Sequence, residues 1–190
     1  MLIFCKIFLS FTYWFFVINL RKQNTHYKME GADNNFAVCI MNPDGGSNVS
    51  GIVKLVQPKA GGKTKITAEL TGLAQGTHGF HIHQYGNLTE GCKTAGPHFN
   101  PHGKTHGGPN KEERHVGDLG NVEADADGKV NFSIEDHLVS LIGETSCIGR
   151  SFVVHADVDD LGEGGHALSP TTGNAGARLA CGVIGMSGPF

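Results

Sequence analysis

The chain has 190 residues, 28 of them glycine, with 17% charged residues and a formal net charge of -3 when histidine is counted neutral. That length suits one domain plus some extra sequence, and glycine punctuation between short apolar runs favours an all-β domain. The negative balance and the lack of any Lys/Arg run disfavour nucleic acid as a partner, and an anionic substrate would need local steering rather than attraction to the whole molecule.

Residues 1–20 read MLIFCKIFLSFTYWFFVINL, with Lys6 ahead of a mostly apolar stretch at 7–18. This pattern reads as a secretory signal peptide, although no small-x-small cleavage site follows it. Ser10, Thr12 and Tyr13 interrupt the stretch and make it a poor membrane span. A secreted, extracellular protein is the expectation. An uncleaved leader would instead anchor the chain to a membrane, and translation from Met29 would give a cytoplasmic form. Residues 21–35 form a polar spacer, which leaves 36–190 as the domain.

Within that domain, short β-rich runs alternate with turns. Strands are expected at 36–41, 50–56, 63–70 and 77–83, then at 117–123, 130–135, 152–156 and 180–186. Thr67, Glu69 and Thr71 alternate with Ala68 and Leu70, the period of two of a half-buried strand. Ala-Asp-Gly at 126–128 marks a hairpin turn. Residues 85–114 and 157–178 do not read as strands, and loops of that length inside a domain are usually functional. No internal repeat and no helix-length amphipathic stretch is present.

Cysteine occurs at Cys5, Cys39, Cys92, Cys147 and Cys181. None forms a C-x-x-C pair, so zinc-ribbon and thioredoxin readings fail. Cys39 and Cys147 sit beside apolar residues and read as buried, inert thiols, whereas Cys92 and Cys181 lie in glycine-rich surroundings. Asn48, Asn87 and Asn131 head N-x-S/T sequons, candidate glycosylation acceptors if the chain is secreted.

The conspicuous chemistry lies between His78 and Asp118, which includes HGFHIH, GPHFNPHGKTHGG and RHVGDLGN, with His155 following in SFVVH. His81 and His83 are two apart, so on a strand both imidazoles project from one face and can meet one metal. Exposed strand histidines would give the same pair. His98, His106 and His115 follow, with Asp118 three beyond; three His and one Asp make a plausible closed zinc set. His155, on an apolar strand, gains weight only because the other ligands need a fourth partner. His78 reads as a backbone support, His102 as a non-ligand that lies between His98 and His106, and His26, His137 and His166 as solvated.

HGFHIH, GPHFNP, RHVGDLGNV, GRSFVVHADVDDLG and GNAGARLACGVIG, in that order, closely resemble copper–zinc superoxide dismutases from about residue 36 to 185. The resemblance implies an eight-stranded Greek-key β-sandwich or flattened barrel with two long functional loops. It implies one copper per subunit, held by His81, His83, His98 and His155, and one zinc, held by His98, His106, His115 and Asp118. His98 would bridge the two. Asp159 would orient His81 and His106 by hydrogen bonds, a Cys92–Cys181 disulfide would pin the metal loop, and Arg178 would dock the superoxide anion.

The implied activity is dismutation of superoxide to dioxygen and hydrogen peroxide by a copper that alternates between oxidation states. The implied assembly is a homodimer that uses residues 85–89 with Ile148 and Met186, and Asn87 falls in that segment where relatives usually carry Asp. A metal-binding module without turnover (chaperone-like or a store) is the rival class; a missing copper ligand or arginine would favour it, and none is missing. An adhesion sandwich would have no reason to carry the His/Asp set. One departure stands out: Ala167, Leu168 and Thr171 occupy places where the family usually has glutamates and lysines, so charges that steer substrate are thinner.

Overall fold

Alternation along the strands builds the barrel. In the computed structural model, which describes residues 33–190, Thr64–Thr71 buries Thr64, Ile66, Ala68 and Leu70 while Lys65, Glu69 and Thr71 face solvent. The leader, Cys5, His26, Met29 and the first part of the expected spacer lie outside the described residues. Nine strands follow: β1 Asn34–Pro43, β2 Ser50–Pro58, β3 Thr64–Thr71, β4 Gly76–His83, β5 Thr89–Cys92, β6 Asp118–Ala124, β7 Val130–Asp136, β8 Ser151–His155 and β9 Arg178–Ser187. The first strand begins at Asn34, so the last two residues of the expected spacer belong to the sheet.

Eight of these strands form one sheet in the order β6-β4-β8-β9-β1-β2-β3-β7, a nearly closed antiparallel barrel. Hairpins join β1 to β2 and β2 to β3, after which the chain crosses to place β4 between β6 and β8. Strand β7 then returns to β3, the Greek-key arrangement. The expected eight strands are all present. The long 85–114 segment holds an additional short strand, β5, and a 3-10 turn at Lys93–Ala95, while the later loop holds a one-turn helix, α1, at Ser169–Thr172.

Phe80 stacks on Phe152 at 5.0 Å between ring centroids, and Phe132 meets Phe80 edge-on. Leu55, Ile66, Ile82, Leu119 and Ile184 complete the centre of the core. Strand period then fixes the site. Phe80 and Ile82 point into the barrel, so His81 and His83 point out of it. They are nonetheless almost fully buried because the two long loops lie over them.

A smaller apolar cluster of Cys92, Ala95, Val153 and Cys181 sits beneath the first loop. Cys92 and Cys181 are disulfide-bonded with Cα atoms 5.6 Å apart, which ties the end of β5 to β9. Cys39 and Cys147 are free and buried, as their apolar neighbours led us to expect, and burial pushes both thiols up to about 12. At that value neither is a nucleophile at neutral pH.

Candidate metal centre

Strands β4, β6 and β8 and the first long loop each send imidazole or carboxylate to one place outside the barrel wall. Two sets of four result: His81, His83, His98 and His155, and His98, His106, His115 and Asp118, with the ligand atoms of each set within 4.8 Å of one another. All seven residues are buried. His98 belongs to both sets.

The hydrogen bonds decide which nitrogen each ring offers. His81 donates from Nε2 to Asp159 Oδ2 at 2.8 Å, which leaves Nδ1 as the lone pair. His83 donates from Nδ1 to Gly96 O at 2.8 Å, and His155 from Nδ1 to Gly176 O at 3.3 Å. Their Nε2 atoms face each other 3.4 Å apart. On the other side, Asp118 Oδ1 gathers the Nδ1 atoms of His98, His106 and His115 at 2.8, 3.0 and 3.1 Å. Only His98 and His115 are aligned as hydrogen bonds there. His106 is turned by its Nε2 contact with Asp159 Oδ1 at 2.7 Å.

Three buried ring nitrogens consequently have no hydrogen-bond partner among the described residues: His81 Nδ1, His98 Nε2 and His106 Nδ1. A buried polar atom without a partner carries a cost of roughly 1–3 kcal/mol. Three of them converging at one site fit cations as the missing partners. The donor chemistry agrees. One set is all imidazole, which suits copper; the other is three imidazoles and a carboxylate, which suits tetrahedral zinc. Because His98 offers Nε2 to one set and Nδ1 to the other, it is placed to bridge them.

Electrostatics separate the rings. Burial, then the neighbouring imidazoles, hold His81 and His83 well below the ordinary histidine value. His98 is lowered chiefly by burial, against the pull of Asp118, and burial takes His155 down to about 4. These rings are neutral at pH 7, the form that binds metal. Burial also opposes charge on His106, but the adjacent carboxylates of Asp118 and Asp159 outweigh it and push His106 up to about 9. A cation among the zinc-set groups must therefore displace a proton from His106. Asp118 is driven far below the carboxylate range: burial resists, and the three imidazoles of His106, His115 and His98 gathered on it prevail.

Around the two sets lies a second ring of contacts. Asp159 joins His81 to His106, as the resemblance implied. Asn121 grips its backbone from both sides, with Nδ2 donating to Asp159 O at 2.9 Å and Asp159 N donating to Asn121 Oδ1 at 2.8 Å. Gly173 has φ +65, and a side chain there would collide with the Asp159 carboxylate and the His106 ring. Arg178 crosses from His155 in the β8–β9 pairing. Its Nη1 donates to Cys92 O at 2.6 Å and its Nη2 to Gly96 O at 2.8 Å. Gly96 O is also the acceptor for His83, so one carbonyl serves both a copper-set ring and the arginine.

His78 is no ligand: its nitrogens face His155 O and Ala74 O, each at 2.9 Å, which braces the peptide of His155. His102, His137 and His166 are exposed. Arg114 was not singled out by sequence reading. It is fully buried, with Nη1 donating to Asp118 O at 2.6 Å and Nη2 paired with Asp136 Oδ2 at 2.5 Å. A charged residue beside a histidine of RHVGDLGN was the available signal, but nothing in the sequence ties it to Asp136.

The sequence profile of a family described as Copper/zinc superoxide dismutase matches residues 49–184, most of the chain.

Proposed function

The chain belongs to the copper/zinc superoxide dismutase family and disproportionates superoxide; on that premise we propose that the two His sets divide the labour and that it works as a secreted homodimer. The observation that carries the division is the position of His98 in both sets, with opposite ring nitrogens. Copper would be held by His81 Nδ1 and by the Nε2 atoms of His83, His98 and His155. Zinc would be held by the Nδ1 atoms of His98, His106 and His115 and by Asp118 Oδ1. Bound copper supplies the one-electron redox chemistry, which zinc lacks.

The chain's own residues do the rest. Two superoxide anions and two protons become one dioxygen and one hydrogen peroxide. Arg178 keeps its guanidinium charge and fork of N–H donors at any relevant pH, even though burial lowers its pKa. Two of those donors are spent on peptide carbonyls, and the others can dock a small anion. Whenever it is not engaged with copper, His98 Nε2 is a buried ring atom placed to hold a proton for the departing peroxide. Asp159 fixes the tautomers of His81 and His106, so both present Nδ1 to the site. All seven side chains of the two sets are buried, which keeps bulk water away from most of the site.

Superoxide decay, followed by stopped flow on protein loaded with copper and zinc, tests the activity directly. Arg178→Glu should slow it by at least about tenfold at low ionic strength with metal content unchanged, because exposed charge acts over only about 8 Å at physiological salt. Leu168 is 49% exposed where the family usually carries charge. The wild-type rate should accordingly fall less steeply with salt than in relatives with charged loops. An equally steep slope would move the steering to other charges.

Dimerisation is supported by an apolar face. Ile40, Tyr85, Val183 and Met186 are 55%, 51%, 44% and 61% exposed, and Ile148, also expected at the contact, is partly buried. A second copy of the chain would cover these side chains. Secretion is supported by the leader reading and by exposed asparagines at all three sequons, Asn48, Asn87 and Asn131. Asn87 Oδ1 already accepts from Thr89 N and Oγ1, at 3.1 and 2.8 Å. A glycan at Asn87 would stand beside Tyr85 and oppose pairing. The expected result is a dimer by light scattering, with Asn87 unmodified and with Asn48 and Asn131 carrying any glycan found by glycopeptide mass spectrometry. A fully glycosylated Asn87 on a dimer of ordinary size would refute that steric argument. N-terminal sequencing of the mature chain decides between cleavage of the leader, retention as an anchor and a start at Met29.

A further inference from the structure

Arg178 can dock an anion only if the carbonyls it leans on are themselves fixed. One of them is Cys92 O. The N–H of the same residue donates to Asp44 Oδ2 at 2.8 Å, a contact that spans 48 positions of sequence. Asp44 lies in the turn between β1 and β2, outside both metal loops. That turn holds the other end of the arginine's environment as well. Asp44 N donates to Leu179 O at 2.8 Å, and Ser47 Oγ donates to the same oxygen at 2.5 Å. Leu179 is the residue next to Arg178. Ser47 N closes the turn onto Asp44 O at 3.0 Å.

The packing around this carboxylate is tight. Gly91 has φ +61, and a Cβ there would run into the Asp44 side chain. Among the described residues Asp44 makes no ion pair, so its carboxylate is given to the Cys92 backbone. The disulfide does not make that bond redundant. It fixes the Cys92 Sγ, whereas Asp44 fixes the peptide N–H. With both anchors in place and Cys92 at φ -65, ψ -17, the Cys92 carbonyl is aimed at Arg178 Nη1.

We infer that Asp44 is a positioning residue for Arg178: a single turn clamps Cys92, whose carbonyl accepts from the guanidinium, and the carbonyl of Leu179, the residue after the arginine. This rests on the reading of Arg178 as the anion-docking group. The arrangement makes substrate docking depend on a turn that touches neither metal set.

The test uses copper- and zinc-loaded protein with the Cys92–Cys181 bond verified by thiol titration. Asp44→Ala, Asp44→Asn, Arg178→Ala and the Asp44→Ala/Arg178→Ala pair are compared with wild type. Three quantities are read: the superoxide decay rate per copper at low salt, the affinity for azide from the copper absorption band, and the exchange rate of the Arg178 guanidinium protons by NMR. Asp44→Ala should weaken azide binding and slow decay by about three- to tenfold, the scale of one lost hydrogen bond. Guanidinium exchange should speed up in step. Asn keeps an acceptor oxygen, so Asp44→Asn should restore all three.

In the Arg178→Ala background Asp44→Ala should change neither rate nor azide affinity further, as expected of two residues acting through one interaction. Additive losses, or an Asp44→Ala protein that is merely less heat-stable with wild-type azide affinity, would overturn the inference. If Asp44→Ala does not fold, Ser47→Ala must show the same signature at smaller size, and its absence overturns the inference equally. A wild-type protein without superoxide activity would overturn the parent reading instead.

Discussion

Replacing His155 with alanine is expected to abolish dismutation while leaving the barrel folded. His155 comes from β8, a strand distant in sequence from the loop that supplies most of the other rings. Its Nε2 faces His83 Nε2 at 3.4 Å, so its removal opens one side of the copper set. Changes to residues that merely orient a ligand cost roughly 10–100-fold in metal affinity or activity. Loss of a ligand should exceed that, so the rate per molecule should fall by more than about a hundredfold, and copper should be lost to a weak chelator. The fold should survive because the His155 side chain points away from the Phe80–Phe152 core. The His155 carbonyl that accepts from His78 is backbone and stays in place. Superoxide decay measured together with copper content and thermal unfolding decides the matter. Near-wild-type activity at equal protein would remove His155 from the copper set. His102→Ala, at an exposed histidine in the same stretch, should change nothing.

The contrast between those two histidines shows what was legible in the sequence. Strand period alone put His81 and His83 on one face, and the alternation of β3 gave its buried side correctly. The order of the five motifs then separated the histidines that cluster from the exposed His102, a distinction that spacing could not make for His98, His102 and His106. What escaped was everything created when the barrel closes. Asp44 meets Cys92, Arg114 meets Asp136, and Asn121 meets Asp159 across 48, 22 and 38 positions. A single sequence holds no signal for which polar residues will meet at such separations. The local surroundings do not help either: Asp44 sits in Pro-Asp-Gly-Gly, where an aspartate is already explained by turn preference. The short β5 was missed for a related reason. Thr89–Cys92 has little apolar character of its own, and it runs alongside β9 under the Cys92–Cys181 link.

Asp118→Ala should fail differently from His155→Ala, losing zinc first and keeping part of the activity. Asp118 is the point where the zinc set converges. Its Oδ1 meets the three Nδ1 atoms, while its Oδ2 accepts the backbone N–H groups of Gly107 and His115 at 3.1 and 2.8 Å. The truncation therefore removes a ligand and also unties the loop that carries His106 and His115. Each buried donor left without its acceptor costs roughly 1–3 kcal/mol. Thermal stability should drop by several degrees even before metal is considered. The copper set keeps all four of its rings, since Asp118 contributes no atom to it, so residual dismutation is expected. It should be lower than in the wild type because His98, no longer held through Nδ1, offers Nε2 less rigidly. Asp118→Asn separates the two roles. Its amide oxygen can still accept one backbone N–H, so much of the loop order should return, yet without the negative charge zinc should remain weak. Zinc and copper measured separately after dialysis against a chelator, alongside the rate, give the answer. Full zinc retention in Asp118→Ala would break the assignment of the second set, and a loss of copper equal to the loss of zinc would mean that the two sets do not hold their metals independently.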